Sequence, residues 1–156
     1  MSLTRLKPAL LELEVTEDII LADAEKALAM FREIQDLGVH VVFDDFGTGY
    51  ASLSYLKQFP LDGLKIDRSF VTGLRPDSGD AAIVSSTIEL SQKLGLTVIA
   101  EGIEDAATAA WLHATGCQEG QGYYFGRPMP ARKFEQRFLS HIGQVHTAAD
   151  PALAVV

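Results

Sequence analysis

The sequence predicts an α/β protein with a parallel sheet, because a unit of helix, glycine and strand recurs along the chain. Each helical part has apolar residues at helical spacing, and each strand part is a short apolar run. Three copies of the unit occupy residues 23–45, 80–101 and 105–124, with Gly38, Gly95 and Gly116 at the joints. Strands that alternate with helices of this length favour parallel pairing.

The helices show clear signals at their ends and along one face. Asp23 is a good N-cap for the helix over residues 23–37, and Gly38 ends it. Gly95 ends the helix over residues 80–94 in the same way. The residues predicted to form the buried stripes are Ala27, Phe31, Ile34 and Leu37 in the first helix and Ile83, Val84, Thr87, Ile88, Ser91 and Leu94 in the second.

Five strands are predicted, at about residues 9–15, 39–45, 62–67, 96–101 and 117–124. Tyr123, Tyr124 and Phe125 are interpreted as the end of the last strand entering the core. Periodicity is lost beyond Leu139, so we expect one domain over residues 9–139 and a weakly ordered tail over residues 140–156.

Composition excludes several classes of function. A net charge of −8 with no basic run argues against a nucleic-acid groove, which needs clustered Lys and Arg. The single cysteine, Cys117, has no partner for an internal disulfide and is expected to be a buried thiol. No apolar run is long enough for a membrane span, and the start MSLTRLKP lacks a secretory core, so we expect a cytoplasmic protein.

Polar residues fall at or just after the carboxyl ends of successive predicted strands. In parallel α/β folds this edge of the sheet is where active sites are built. Each residue alone has a plainer explanation, such as a solvated acid or a helix cap, but five such positions in sequence favour a common site. These positions are Glu14, the pair Asp44 and Asp45, Lys65 with Asp67, Glu101 and Gln121.

The adjacent pair Asp44 and Asp45 suggests a metal site. Neighbouring side chains on a strand point to opposite faces, so both can reach one centre only where the strand breaks, which Gly47 and Gly49 allow. Converging carboxylates repel one another unless a cation lies among them. Oxygen ligands without His or Cys suit Mg²⁺, Mn²⁺ or Ca²⁺, and a bridging carboxylate suits a two-metal centre that activates water for attack at phosphorus.

Five motifs together resemble the EAL domain, the family of bacterial cyclic-di-GMP phosphodiesterases. They occur in the family's order and spacing and cover nearly all of residues 9–139. The motifs are LELEVTE (11–17), DDFGTGYASLSYL (44–56), LKIDRSF (64–70), IAEGIE (99–104) and QGYYFGRPMP (121–130). The resemblance implies hydrolysis of cyclic di-GMP to linear pGpG with Mg²⁺ or Mn²⁺, in bacterial second-messenger signalling.

The resemblance also implies a role for each matching residue. Lys65 orients or activates the attacking water, Glu17 holds the following loop in its productive shape, and Gln121 lies beside the water and the ligand. The loop that links catalysis to dimerisation contains Phe46, Gly47, Thr48, Gly49 and Tyr50. The implied metal ligands are Glu14, Asp44, Asp45 and Glu101, and the implied substrate contacts are Gln121, Gly126, Arg127 and Pro128.

The match departs from the family in its extent. The family fold is a modified (β/α)8 barrel, and such barrels typically have about 250 residues, whereas this sequence has 156 and about five of the eight strands. The glutamate of the Glu-Ala-Leu signature and a later asparagine, both metal ligands in the family, have no counterpart before Glu14. We therefore expect a partial TIM-like barrel that associates with itself, as a homodimer, or with another chain or domain.

Two alternatives to the enzyme remain open at this point. The first is a catalytically silent module that binds cyclic di-GMP or another protein, because the early metal ligands are missing. The second is a barrel aldolase in which Lys65 forms a Schiff base. The neighbouring acids oppose the second alternative, because they would keep Lys65 protonated.

Overall fold

The computed structural model describes residues 6–47, 53–138 and 154–155 of the chain. It is an α/β fold with one parallel sheet, in which the strands lie side by side in chain order. The strands are β1 (Glu12–Val15), β2 (His40–Phe46), β3 (Gly63–Ile66), β4 (Thr97–Ala100), β5 (Glu119–Gly120) and β6 (Ala154–Val155). The five predicted strands are all present.

Helices connect the strands and cover one face of the sheet. They are α1 (Glu17–Ala22), α2 (Ala24–Asp36), α3 (Leu53–Gln58), α4 (Arg68–Val71), α5 (Gly79–Leu94), α6 (Ala106–Thr115) and α7 (Ala131–Phe138). A short 3₁₀ helix, Pro8–Leu10, precedes β1. None of the helices in the described part of the chain combines the length and apolar character that crossing a bilayer requires.

The helix ends follow the sequence signals. The Asp23 side chain accepts a hydrogen bond from the Lys26 amide at the start of α2, as an N-cap does. Ser78 caps α5 in the same way, and Gly95 ends it in the left-handed conformation that glycine adopts readily. These caps fix the points at which the chain leaves one layer and enters the sheet.

The core lies between the sheet and the helices. Its centre is formed by fully buried side chains from both layers, among them Phe31, Phe43, Leu64, Ile88 and Leu112. Cys117 belongs to this core, and burial raises the pKa of its thiol to about 12. The thiol therefore stays protonated and acts as a small apolar group, as predicted.

Three residues assigned to the buried stripes are exposed, and here the sequence prediction is wrong. Leu37 lies beyond the last turn of α2 as its C-cap residue, and Leu94 is the last residue of α5. Ile83 precedes the buried Val84 by one position, which turns its side chain by about 100° around the helix axis. Ile83 therefore lies outside the buried face. The residues of α5 that are buried are Ala81, Val84, Thr87, Ile88 and Ser91.

The last predicted strand is shorter than expected. β5 stops at Gly120, and the chain then folds back over the segment after β4, where the Tyr124 amide donates to the Ile103 carbonyl at 3.0 Å. Tyr123 and Tyr124 are consequently exposed rather than in the core, whereas Phe125 packs partly against it. β6 pairs with β5 and falls within the predicted tail, whose residues 140–153 lie outside the described part of the chain.

Candidate active site

The carboxyl ends of the strands bring the predicted polar residues to one edge of the sheet. Glu14 lies in β1, Asp44 in β2 and Lys65 in β3, whereas Glu101 and Gln121 directly follow β4 and β5. Because all five strands are parallel and in chain order, these positions lie along a single rim.

Lys65 is the centre of this rim. Its side chain is only 4% exposed, and its Nζ lies 2.5 Å from Glu14 Oε1 and 2.5 Å from Glu101 Oε1. Asp44 Oδ1 lies 3.7 Å from the same nitrogen. One buried ammonium group therefore contacts carboxylates from three separate segments of the chain.

The protonation state of Lys65 follows from these contacts. Burial alone would lower the pKa of its ammonium group, but the hydrogen bonds to Glu101 and Glu14 and the charges of Glu101 and Asp44 outweigh burial. The pKa of Lys65 is consequently raised above its ordinary value. A lysine that stays protonated is a poor amine nucleophile, which argues against the Schiff-base alternative.

Gln121 extends the cluster by one residue. Its Nε2 donates a hydrogen bond of 2.6 Å to Glu101 Oε1, the same oxygen that contacts Lys65. Backbone bonds fix both residues, since the Glu101 amide donates to the Ile66 carbonyl and the Gln121 amide to the Ala100 carbonyl. The sheet thus holds the backbone at both positions, and the side chains contact each other.

The strand is irregular at Asp44 and Asp45, as the sequence suggested. The pairing of β2 with β3 shifts register between Phe43 and Phe46, and Asp45 adopts a positive φ of 57°. The Asp45 amide donates to Asp44 Oδ1 at 3.0 Å. Burial, followed by the charges of Asp44 and Asp67, raises the pKa of the Asp45 carboxyl. The bulge therefore places a second acid next to the first at an electrostatic cost.

The structure describes only part of the loop that follows. Phe46 packs against the core and contacts the Phe43 ring, and Gly47 has a φ of +99° with the Phe70 ring beside it. Thr48, Gly49 and Tyr50 lie outside the described residues. Glu17, at the start of α1, has a buried Oε1 with no hydrogen-bond partner among the described residues.

A cavity of about 1190 Å³ opens beside Glu101 and Gln121. Gly126, Arg127 and Pro128, the predicted substrate contacts, all line it. The Arg127 guanidinium lies 4.3 Å from the centroid of the Tyr123 ring, within the range of a cation–π contact. The cavity therefore joins the acidic rim to cationic and aromatic side chains.

Several residues of this cavity were not predicted from the sequence. Arg68, Tyr123 and Phe134 line it, although none was assigned to the site. The position of Arg68, directly after the strand end at Asp67, was a usable signal. Asp67 itself caps α4, and its carboxylate accepts a hydrogen bond from the Ser69 amide at 2.9 Å. Phe134 gave no signal, because an apolar residue in a helix usually belongs to the core.

The donor atoms on the rim suit a hard divalent cation. Glu14, Asp44, Asp45 and Glu101 offer carboxylate oxygens only, the ligands that Mg²⁺ and Mn²⁺ prefer. Within residues 6–47 and 53–138, however, no three acidic, His or Cys side chains form a closed metal-binding group, and the charge of the carboxylates is met by Lys65. The residue types on the rim fit a metal ion, and its clustered carboxylates require a positive charge among them, which Lys65 provides in this structure.

Comparison with known proteins identifies the family of this chain. The EAL domain model matches residues 2–128, which is most of the chain. The chain belongs to the EAL domain family. The predicted partial TIM-like barrel is confirmed by the solved EAL structures on which the chain superposes.

Relatives with a stated activity share this domain. The chain is 47% identical over 128 residues to the bifunctional diguanylate cyclase/cyclic di-GMP phosphodiesterase MucR of Pseudomonas aeruginosa. The aligned region covers 82% of this chain and 19% of MucR. The solved PaMucR phosphodiesterase in complex with c-di-GMP superposes with a TM-score of 0.77 at 46% identity, covering 83% of this chain and 52% of that one.

A second solved structure was determined with a metal. BlrP1 of Klebsiella pneumoniae, in a manganese/cy-diGMP complex, superposes with a TM-score of 0.72 at 33% identity, covering 79% of this chain and 31% of that one. The present chain thus spans about a fifth of the length of its curated relative MucR and about half of the solved MucR phosphodiesterase.

Proposed function

We propose that this EAL domain hydrolyses one phosphodiester bond of cyclic di-GMP, giving linear pGpG. The observation that carries the proposal is the convergence of Glu14, Asp44 and Glu101 around the buried Lys65, next to Gln121 and a large open cavity. MucR, whose phosphodiesterase was solved with c-di-GMP, supports the choice of substrate.

We assign the metal to the four acids of the rim. Glu14, Asp44, Asp45 and Glu101 would hold Mg²⁺ or Mn²⁺, and the manganese in the BlrP1 complex supports a metal-dependent reaction. A bound divalent cation would polarise the phosphodiester and lower the pKa of a water molecule for in-line attack. The raised pKa of Asp45 agrees with this assignment, because a cation would offset the repulsion from Asp44 and Asp67 that adds to the effect of burial.

Lys65 and Gln121 would position the reacting groups. Because its pKa is raised, Lys65 would act as a protonated donor that orients water or a phosphate oxygen, rather than as a base. Gln121 donates to Glu101 and would keep that carboxylate in a fixed orientation, while its carbonyl oxygen could accept a hydrogen bond from the attacking water. Both residues would therefore orient the reacting groups and would not take part in proton transfer.

The cavity would hold the nucleotide. Gly126, Arg127 and Pro128 line it together with Arg68, so two cationic side chains border the space next to the rim. A guanidinium group pairs well with phosphate oxygens, and planar groups stack on bases. The cavity therefore has the chemistry that a dianionic dinucleotide needs.

Glu17 and the loop after β2 would shape the site. The buried Glu17 Oε1 lacks a partner among the described residues, and a carboxylate oxygen in that position normally accepts a hydrogen bond. We propose that Glu17 supports the loop of Phe46, Gly47, Thr48, Gly49 and Tyr50, and that this loop links the metal site to dimerisation. We also place the protein in the cytoplasm, where a bacterial second messenger is degraded.

The test is hydrolysis of cyclic di-GMP with added Mn²⁺, compared between the parent chain and Asp44→Asn. We expect turnover by the parent and a loss of at least about 100-fold in the variant, because Asp44 would contact the metal directly. Asp80→Asn, an exposed acid in the first turn of α5, is the matched control and should keep full activity. No turnover by any of the three proteins would contradict the proposal.

A silent binding module is the second candidate. The observation in its favour is that Lys65 already neutralises Glu14 and Glu101 in a chain that spans about half of the solved MucR phosphodiesterase. Binding of cyclic di-GMP without hydrolysis in Mn²⁺ or Mg²⁺ would select this candidate over the enzyme.

A further inference from the structure

One face of α7 forms part of the cavity wall. Ala131, Phe134 and Glu135 all line the cavity, and positions i, i+3 and i+4 share one side of a helix. Phe134 is 49% exposed, so about half of this large apolar side chain is accessible at the wall. An accessible aromatic ring beside a polar site is typical of a ligand contact rather than of a core.

The helix begins after Pro130 and is attached near its end to the segment that follows β5. At its start the Pro130 carbonyl accepts hydrogen bonds from the amides of Lys133 and Phe134. Near its end Arg137 donates to the Phe125 carbonyl at 3.2 Å. Phe134 lies about one turn before Arg137, so this hydrogen bond holds the part of α7 that lines the cavity.

The same cavity contains a second planar platform. The Arg127 guanidinium is stacked over the Tyr123 ring at 4.3 Å, and Tyr123 is 54% exposed. Glu101 and Gln121 line this cavity as well, so it is continuous with the acidic rim. A cyclic dinucleotide has two bases flanking its phosphates, which matches two platforms beside one hydrolytic site.

We propose that Phe134 is a substrate-binding residue whose ring stacks against one guanine base of the dinucleotide. The inference rests on the proposed function, because it takes cyclic di-GMP as the ligand of this cavity. Bases stack favourably on aromatic side chains whatever their sequence, and one such contact commonly changes affinity by a factor of ten or more. Phe134 would contribute to affinity and leave the chemistry of the rim unchanged.

The experiment measures binding of a phosphorothioate analogue of cyclic di-GMP, which is hydrolysed slowly, by calorimetry in the presence of Mn²⁺. We expect Phe134→Ala to weaken binding by about tenfold or more and Phe134→Trp to stay within about threefold of the parent. Ile83→Ala removes an equally exposed apolar side chain from α5, outside the cavity, and should leave binding unchanged.

Two further readouts separate stacking from a structural effect. The affinity of Phe134→Ala for Mn²⁺ alone should equal that of the parent. The indole introduced by Phe134→Trp should lose fluorescence when the ligand binds, beyond any change in the parent, whose only tryptophan is Trp111.

The outcomes also distinguish this inference from the proposed function. Unchanged binding in Phe134→Ala, or an equal loss in Phe134→Trp, would overturn the role of Phe134 and leave the phosphodiesterase proposal standing. Absence of binding by the parent chain would overturn both.

Discussion

Burying Lys65 costs solvation free energy, and its contacts explain why the fold tolerates it. An ammonium group removed from water loses several kcal/mol of hydration, which is recovered only by close, well-oriented partners. Lys65 has two carboxylate oxygens at 2.5 Å and a third at 3.7 Å. The same reasoning applies to the carboxylates, which would repel one another without the cation.

Replacing Lys65 with Met should destabilise the metal-free protein by about 3 kcal/mol, because it leaves acidic groups without their buried partner. Added Mn²⁺ should restore more stability to Lys65→Met than to the parent, since the metal would take over the role of the cation. Denaturant unfolding in EDTA and in Mn²⁺ measures both effects.

Lys93→Met is the control for this prediction. Lys93 also pairs with a carboxylate, Glu89, at 2.6 Å, but both side chains are about two-thirds exposed. Solvent screens such a pair, so little change is expected in either condition. An equal response of the two variants would show that burial at Lys65 has no special importance.

The sequence predicted which polar residues lie on the rim, because position at a strand end can be read from periodicity. It also predicted that Lys65 lies among these acids and stays protonated, but not which of them contact it, since that depends on the tertiary structure. Nor did it predict that Phe134 lines the cavity, because α7 is held there by the hydrogen bond from Arg137 to the Phe125 carbonyl, which depends on tertiary structure.

At the level of elements, the segment after β5 packs so closely on Ile103 that Gly122 has no room for a side chain. A Cβ there would lie 2.1 Å from the Ile103 carbonyl oxygen and 2.4 Å from the Ile103 nitrogen. Both atoms are backbone, and the Ile103 amide also donates to the Gln121 carbonyl. The close approach therefore holds Gln121 next to Glu101.

Gly122→Ala should destabilise the domain by about 3 kcal/mol, because the backbone must move to make room. It should also reduce hydrolysis by displacing Gln121. Thermal unfolding and turnover measure the two effects. Gly79→Ala, in the first turn of α5, has no atom within 4 Å of the added Cβ and should be neutral or slightly stabilising. A Gly122→Ala variant as stable as Gly79→Ala would show that the close approach of Gly122 to Ile103 is not needed.

The elements themselves could be predicted from the sequence, since caps and periodicity are local signals. Asp23, Gly38 and Gly95 act as the sequence indicated. What could not be predicted was which members of a stripe are buried at its edges, as Ile83 and Leu94 show, and where β5 ends. Those depend on the layer packed opposite and on the Ile103 contact.

At the scale of the whole molecule, β1 is an edge strand among the strands that the structure describes. Among the described strands β1 pairs only with β2, and the leucines around it are exposed: Leu10 by 71%, Leu11 by 42% and Leu13 by 38%. A parallel sheet is usually covered on both faces, and an open apolar edge favours association. We propose that this edge is covered by a second copy of the chain or by another chain or domain.

Sedimentation of the purified chain tests self-association through this edge. We expect a dimer or larger species, and we expect Leu11→Glu and Leu13→Glu to weaken association by about tenfold or more each, as loss of a central apolar contact does. Ile83→Glu changes a comparably exposed apolar residue on α5 and should have no effect. A stable parent monomer with one cooperative melting transition would contradict the proposal.

The proposal that the acids on the rim hold divalent cations underlies the function assigned to this domain. Its most direct test is anomalous scattering from a crystal of the chain grown or soaked in Mn²⁺. We expect a manganese peak coordinated by oxygens of Glu14, Asp44, Asp45 and Glu101, with Lys65 beside it. A well-ordered rim with no peak, and with Lys65 still between Glu14 and Glu101, would contradict it.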